Sequence, residues 1–244
     1  MKQILKQGCK EMGIGISDSR IEQLEKYGHL LQEWNEKINL TAITDDEGIA
    51  VKHFLDSLTA LLTNKVNGSV IDVGTGAGFP GLVLKTVKPE IQLTLLDSLN
   101  KRINFLKAVA EELSLDGVEF VHGRAEDCGM NIKYREKFDT AAARAVAKLR
   151  VLAEWCLPFV KVGGYFLALK GPLADDELKD AKKAIHILGG EVEDVFETKI
   201  PYSDLSHKII IIKKVRHTPS KYPRKPGIAI KSPIETCYNL SKNK

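Results

Sequence analysis

Between residues 21 and 38 the apolar side chains Ile21, Leu24, Leu31, Trp34 and Ile38 return at intervals of three, four or seven residues, with polar groups between them. That spacing keeps them on one side of an α-helix. Ser17 stands where it can cap the start, with Arg20 where a capping box would prefer Glu, and Asn39-Leu40-Thr41 ends the helix. A second helix is expected from Asp46 to about Leu62, which brings His53, Asp56 and Ser57 near one face. The first sixty residues show no strand-like alternation, so residues 1–64 read as a helical cap on the remainder of the chain.

From Ser69 the pattern changes. Short apolar runs at 70–73, 92–96, 118–121, 138–143 and 164–169 alternate with amphipathic stretches at 81–87, 100–113 and 148–160. Strands that alternate with helices mark βαβ units around a parallel sheet, and Pro89 and Gly117 fall in the connections. A further helix at 175–188 precedes two strands at 191–199 and 207–215. The loop between those strands, 201–206, is short enough for a hairpin, so the last strand should run antiparallel to its neighbours. Four consecutive isoleucines, 209–212, imply burial on both faces. The expected fold class is therefore α/β, a seven-stranded doubly wound sheet with a reversed last strand and an N-terminal helical extension. This arrangement resembles the methyltransferase variant of the Rossmann-like fold. The pattern divides the chain into the cap at 1–64, a sheet domain at 65–216 and a tail at 217–244, rich in Pro and Lys, that packs on or extends from the same domain.

With 244 residues, 43% of them hydrophobic and 28% charged, the chain can bury a real core, which excludes a disordered protein. No apolar run approaches the roughly 18 residues that span a bilayer, and the opening stretch, with Lys2, Lys6, Lys10 and Glu11, is unlike a secretory signal. A cytoplasmic protein without membrane contact is expected. Cys9, Cys128, Cys156 and Cys237 are scattered, with no CxxC pair and no His at metal-ligand spacing, so neither zinc nor a structural disulfide is expected. The net charge of +4 hides an asymmetry: residues 205–234 hold eight Lys/Arg and no Asp or Glu, while the rest of the chain is net acidic. Such a local excess favours a polyanionic partner.

The run Asp72-Val73-Gly74-Thr75-Gly76-Ala77-Gly78-Phe79-Pro80-Gly81 leaves the first strand and enters a helix. Glycines there allow a tight turn and close approach of a nucleotide-like cofactor. Two cofactors fit the letters. Residues 76–81 satisfy GxGxxG, and Asp97 lies about twenty residues on, as in a dinucleotide site of an NAD-dependent oxidoreductase. Asp72, two residues before the first glycine, suits instead the cationic amino acid end of S-adenosylmethionine, since a carboxylate there would repel a pyrophosphate. Asp97 can accept ribose hydroxyls from either cofactor. Glu126 and Asp127 follow the third strand, where an adenine amine could be read. A non-catalytic RNA-binding protein on the same fold is a third reading.

If methyl transfer is the reaction, the absent motifs narrow the acceptor. The place where an exocyclic-amine enzyme carries Asn/Asp-Pro-Pro-aromatic reads Ala142-Ala143-Arg144-Ala145-Val146, and no cysteine nucleophile stands directly after strand four or five. A ring nitrogen with a free lone pair, such as guanine N7, requires neither, so no residue is assigned a direct catalytic role. Arg144 could orient a base, bind a phosphate, or pair with Glu126 or another carboxylate. His53 and Asp56 are expected to form a local polar network. In the basic segment Lys213, Lys214, Arg216, Lys221, Arg224 and Lys225 are candidate phosphate contacts, and Tyr222 could stack on a base.

These residues together resemble the bacterial 16S ribosomal RNA guanine-N7 methyltransferases, the RsmG or GidB family, over nearly the whole chain. The resemblance rests on Trp34-Asn35-Glu36-Lys37-Ile38-Asn39-Leu40-Thr41 with His53-Phe54-Leu55-Asp56-Ser57, on residues 72–81, and on Leu96-Asp97-Ser98 followed by Lys101-Arg102. It continues through Gly123-Arg124-Ala125-Glu126-Asp127, Ala143-Arg144-Ala145 and Lys221-Tyr222-Pro223-Arg224-Lys225-Pro226-Gly227. The glycine turn is shared by many methyltransferases; its combination with the other segments is specific. The resemblance implies N7 methylation of one guanosine near the decoding centre of the small ribosomal subunit. By motif it places cofactor contacts at Gly74, Phe79, Ala125, Glu126 and Arg144, with Asp72, Gly76 and Asp97 in the wider methyltransferase pattern.

Overall fold

A computed structural model describes residues 1–144, 146–204 and 206–234. The chain opens with α1 (Lys2–Glu11) and α2 (Asp18–Ile38). Ser17 caps α2, its Oγ accepting from the Arg20 amide. At the other end Asn39 takes a left-handed conformation, and the Asn35 side chain accepts from the amides of Leu40 and Thr41 at 2.6 and 2.8 Å. Those bonds satisfy groups that a helix end would leave bare. The expected second helix forms with an irregular centre: α3 (Asp46–Gly48), a π-helical stretch (Ile49–Leu55) and α4 (Asp56–Leu62). The first helix, α1, was not legible as a separate element.

Seven strands follow, joined by helices: β1 (Ser69–Val73), α5 (Gly81–Val87), β2 (Gln92–Asp97), α6 (Asn100–Glu112), β3 (Val118–His122), α7 (Ala125–Met130) and β4 (Phe138–Arg144). After them come α8 (Leu149–Cys156), a short 3-10 turn (Leu157–Phe159), β5 (Val160–Lys170), α9 (Ala174–Ile187), β6 (Gly190–Lys199) and β7 (Ser206–Lys214). The sheet order is β3-β2-β1-β4-β5-β7-β6. Strands β1 to β5 are parallel, and β7 runs antiparallel between β5 and β6, as the hairpin length required. Pro158 in the 3-10 turn cannot donate an amide bond, so the helix expected to reach residue 160 stops at Cys156 and β5 begins earlier than expected.

The four isoleucines of β7 are all buried, and they alternate between two cores. Ile209 and Ile211 join Leu5, Leu24, Tyr27, Phe54, Leu82 and Phe105, whereas Ile210 and Ile212 join Leu152, Phe159 and Ile185. The N-terminal helices thus share one core with α5 and α6. Tyr27 is fully buried in that core, stacked near Phe79 and donating its hydroxyl to the Ala77 carbonyl within the glycine turn. Replacing Tyr27 with Phe leaves that carbonyl without its partner while keeping the ring. Urea unfolding of the Tyr27→Phe chain should show a loss of about 1–3 kcal/mol, and a loss below experimental error would mean that the hydroxyl contributes nothing to docking the helices on the turn.

Candidate active site

The glycine turn is shaped by what lies under it. Asp72, at the fourth position of β1, is completely buried, and its Oδ2 accepts from the Thr75 hydroxyl at 2.6 Å and the Gly81 amide at 2.8 Å. One oxygen therefore gathers the strand end, the turn and the first residue of α5. A side chain at Gly81 would drive into that same carboxylate, with its Cβ 2.8 Å from Oδ2. Gly74 has φ +72° and stands against Val146, which fills the space a side chain would need. Burial pushes the Asp72 carboxyl up to about 6, against the opposing effect of the Thr75 and Gly81 bonds. Its other oxygen, Oδ1, is buried without a hydrogen-bond partner among the described residues.

Above the turn lies a cavity of about 280 Å³ at the carboxyl ends of β1, β2 and β3, lined by Gly74, Asp97, Ala125, Glu126, Val146 and Trp155 among others. Asp97 ends β2 with its carboxylate fixed: Oδ2 accepts from the Gly76 amide at 2.9 Å and Oδ1 from the Leu99 amide at 2.9 Å. Glu126 is buried in the first turn of α7, while Asp127 beside it is exposed and does not line the cavity. Four of the expected cofactor residues, Gly74, Asp97, Ala125 and Glu126, thus line one cavity. Gly76 contributes its amide to Asp97, and Asp72 lies beneath the floor.

Phe79 and Arg144 fall outside that lining. Phe79 is buried against Tyr27 and Phe54 and stacks on the His53 ring at 4.6 Å. The Arg144 guanidinium lies 4.9 Å from the Phe79 ring and pairs with Asp56 at 2.6 Å, not with Glu126. His207 bonds the other Asp56 oxygen at 2.8 Å, and His53 reaches Thr41 at 2.8 Å. Burial and the neighbouring Arg144 charge lower the His53 pKa to about 4, which leaves the ring neutral near pH 7. For Asp56 burial pushes upward, but the hydrogen bond from His207 and the charge and hydrogen bond of Arg144 outweigh it and hold the carboxyl below its ordinary value. The polar network expected around His53 and Asp56 is present, and it extends to β4 and β7.

The basic segment is largely ordered onto the domain. Lys214 is a correction to the expected RNA contacts: it is fully buried, donating to the Leu157 carbonyl at 2.6 Å and the Thr218 hydroxyl at 2.8 Å beside Glu136. Tyr222 is a second, because its ring packs in the core with Phe138 and Ile185 and offers no open face for stacking. Arg224 is committed to the buried Glu154, with its Nη2 at 2.6 Å from the carboxylate. Lys213 lies 3.9 Å from Glu193, Arg216 donates to the His186 carbonyl, and Lys221 sits over the Tyr222 ring. Lys225 is exposed. The tail then adds a wall to the cavity: the Gly227 amide donates to Glu126 at 3.1 Å, and Gly227 together with Ile230 of the short α10 (Ile228–Lys231) lines it.

Trp155, Gly227 and Ile230 were missed from the sequence. Trp155 reads as an ordinary apolar position of α8, and the tail residues lacked any periodicity to place them. The Trp155 Nε1 is also buried without a partner among the described residues. Cys9 and Cys156 are buried, Cys128 is half-buried, all three are free thiols, and burial pushes Cys9 up to about 11. Cys237 lies outside the described residues. No group of three or more potential metal ligands occurs among the described residues.

The family described as rRNA small subunit methyltransferase G (GidB) matches residues 20–205. The chain belongs to this family. Among relatives named ribosomal RNA small subunit methyltransferase G, that of Alkaliphilus metalliredigens is 55% identical over 96% of this chain and 99% of its own length. That of Alkaliphilus oremlandii is 56% identical with the same coverage, and that of Clostridium botulinum strain 657 is 50% identical over 95% of this chain and 98% of its own. TYW2 of M. jannaschii, solved in complex with AdoMet, superposes with a TM-score of 0.50 at 12% identity, covering 66% of this chain and 77% of that one, which supports the fold. Membership of a methyltransferase family sets aside the oxidoreductase reading of GxGxxG.

The donor and acceptor set of the cavity fits S-adenosylmethionine. Asp97 and Glu126 line it as acceptors for ribose hydroxyls and an amine, Trp155 lines it with an Nε1 that has no partner among the described residues, and the unpaired Asp72 Oδ1 beneath the floor puts an acceptor suited to a cationic group next to the turn. The raised Asp72 pKa has a stability consequence in the cofactor-free chain. Its folded-state value lies above the unfolded one, so the folded state holds the proton more tightly and stability falls as pH rises from about 4 to about 6. Thermal unfolding across that window should show a fall that the Asp72→Asn chain lacks, by up to roughly 3 kcal/mol. Equal pH profiles for the two chains would rule out Asp72 as the titrating group.

Proposed function

We propose that this methyltransferase moves a methyl group from S-adenosylmethionine to N7 of one guanosine of 16S rRNA, near the decoding centre. Its substrate in the cytoplasm is the small ribosomal subunit or an assembly intermediate. The observation that carries the reading is the cavity itself: a glycine turn folded over a buried carboxylate, with Asp97 and Glu126 on the rim, in a chain of this family. No helix among the described residues is long and apolar enough to cross a membrane.

S-adenosylmethionine supplies an electrophilic methyl group on a cationic sulfonium. Asp72 and the glycine turn would hold its amino acid end, Asp97 the ribose, and Ala125, Glu126 and Trp155 the adenine side. The acceptor N7 carries its own lone pair, so the chain has no proton to remove. His53, neutral and stacked on Phe79, and Asp56, ion-paired with Arg144, keep the Arg144 guanidinium fixed at the end of β4. Catalysis is then mainly positioning of two reactants, which can supply a large part of a rate enhancement.

Small-subunit RNA from cells lacking the protein should lose one 7-methylguanosine by mass analysis, regained when labelled cofactor and purified protein are added. Unchanged RNA would overturn the reading. Phosphate contact along the tail is proposed for the cations that remain exposed, Lys225 foremost, with Lys213, Arg216 and Lys221. Lys225→Ala should reduce the slope of log affinity against log salt by about 0.7. Arg224→Ala, which breaks an ion pair, should instead lower stability with little change in slope. If the two variants change the slope equally, the distinction drawn between them is wrong.

A further inference from the structure

A second cavity, of about 380 Å³, opens at the carboxyl ends of β4 and β5. It shares Val146 with the cofactor cavity, and Val146 also stands against Gly74 of the glycine turn. The strand order reverses between β1 and β4, so the two cavities flank the switch point where open α/β sheets take their ligands. An in-line transfer needs the acceptor beside the donor, and this is the neighbouring space.

We propose that this second cavity receives the target guanine and that Glu177 reads its Watson–Crick edge. The inference rests on the reading that guanine N7 is the acceptor. Glu177 projects from the first turn of α9, and its Oε2 is held by the Leu149 amide at 2.6 Å and Lys170 Nζ at 2.8 Å. Its Oε1 has no partner among the described residues, and the side chain is 24% exposed. The carboxylate is therefore anchored through one oxygen and offers the other. An ionised carboxylate only accepts hydrogen bonds.

Guanine presents two adjacent donors on its Watson–Crick edge, N1–H and the exocyclic amine. Adenine and cytosine present a ring-nitrogen acceptor there, which a carboxylate repels, and uracil flanks its single donor with carbonyl oxygens. The free Oε1 can accept from both guanine donors as a bifurcated pair, whereas on adenine or cytosine the ring-nitrogen lone pair would face it beside the amine, so Glu177 favours guanine over the other bases. N7 lies on a different edge, so a base held through N1 and N2 keeps N7 free to face the cofactor. Val146 and Leu173, 38% and 69% exposed, give the cavity apolar surface for a base plane. Lys148 at its rim has no side-chain partner among the described residues and can take a flanking phosphate.

The test places inosine, which lacks the exocyclic amine, at the modified position of reconstituted small subunits. Wild-type protein should methylate inosine with kcat/KM lower by about tenfold or more than guanosine. In Glu177→Gln that ratio should fall towards one, with S-adenosylmethionine affinity by calorimetry unchanged. A variant that keeps the wild-type ratio overturns the assignment of Glu177. Because Glu177 also ties α8 to β5, a second measurement uses the wild-type chain: 6-thioguanosine at the same position should photocrosslink within residues 171–177. Crosslinks confined to other segments overturn the pocket. Failure of the underlying reaction is seen separately, as absence of N7 methylation of guanosine by the wild-type protein.

Discussion

The geometry of the site depends on a carboxylate that the fold has removed from water. Asp72 closes the glycine turn by accepting from Thr75 and Gly81 through one oxygen, and the turn then positions the Gly76 amide on Asp97. Leaving Oδ1 unpaired in the interior is unfavourable, and the raised pKa of the group is the electrostatic expression of that cost. A positive charge beside the turn would offset that cost, which is why the buried carboxylate fits a cationic cofactor end. From the opposite side Tyr27 holds the Ala77 carbonyl, which makes the N-terminal helices part of the turn's support.

A second polar assembly ties distant parts of the chain together. Arg144 from β4, Asp56 from α4 and His207 from β7 meet in a hydrogen-bonded chain in which Arg144 and Asp56 form an ion pair, with His53 packed against Phe79 and the Arg144 guanidinium. Each group is largely enclosed, and each finds a partner, as buried polar groups must. The assembly joins the helical segment to the ends of β4 and β7, next to Phe79 of the glycine turn.

Much of this architecture was legible because it is periodic. Five parallel strands and the helices α5, α6 and α8 announced themselves by spacing, the reversed β7 by the short loop before it, and the isoleucine run forecast a strand buried on two faces, whereas the short α7 between β3 and β4 did not. The glycine turn, Asp97 and Glu126 were legible because strand ends in a doubly wound sheet share one edge. What stayed hidden was set by long-range partners. Lys214 and Tyr222 looked like surface groups for RNA, yet a lysine can be buried when carbonyls and a carboxylate surround its ammonium, and nothing local in the sequence reveals Glu136 or Leu157 beside it. Likewise Arg224 reads as a free cation until Glu154, seventy residues earlier, is brought beneath it. The packing of the Phe79 ring against Tyr27, Phe54 and His53 is likewise set by residues distant in sequence.

The contact between Gly227 and Glu126 also bears on the order in which the site is assembled. Every strand and the glycine turn are complete by Lys214, but one wall of the cofactor cavity is furnished by Gly227 and Ile230. On the ribosome the segment that adds this wall is therefore synthesised after the rest of the site. A chain cut short before Arg224 retains the whole sheet but loses the Glu154 clasp and that wall. The wall that Gly227 and Ile230 furnish is thus added only after all seven strands have been made.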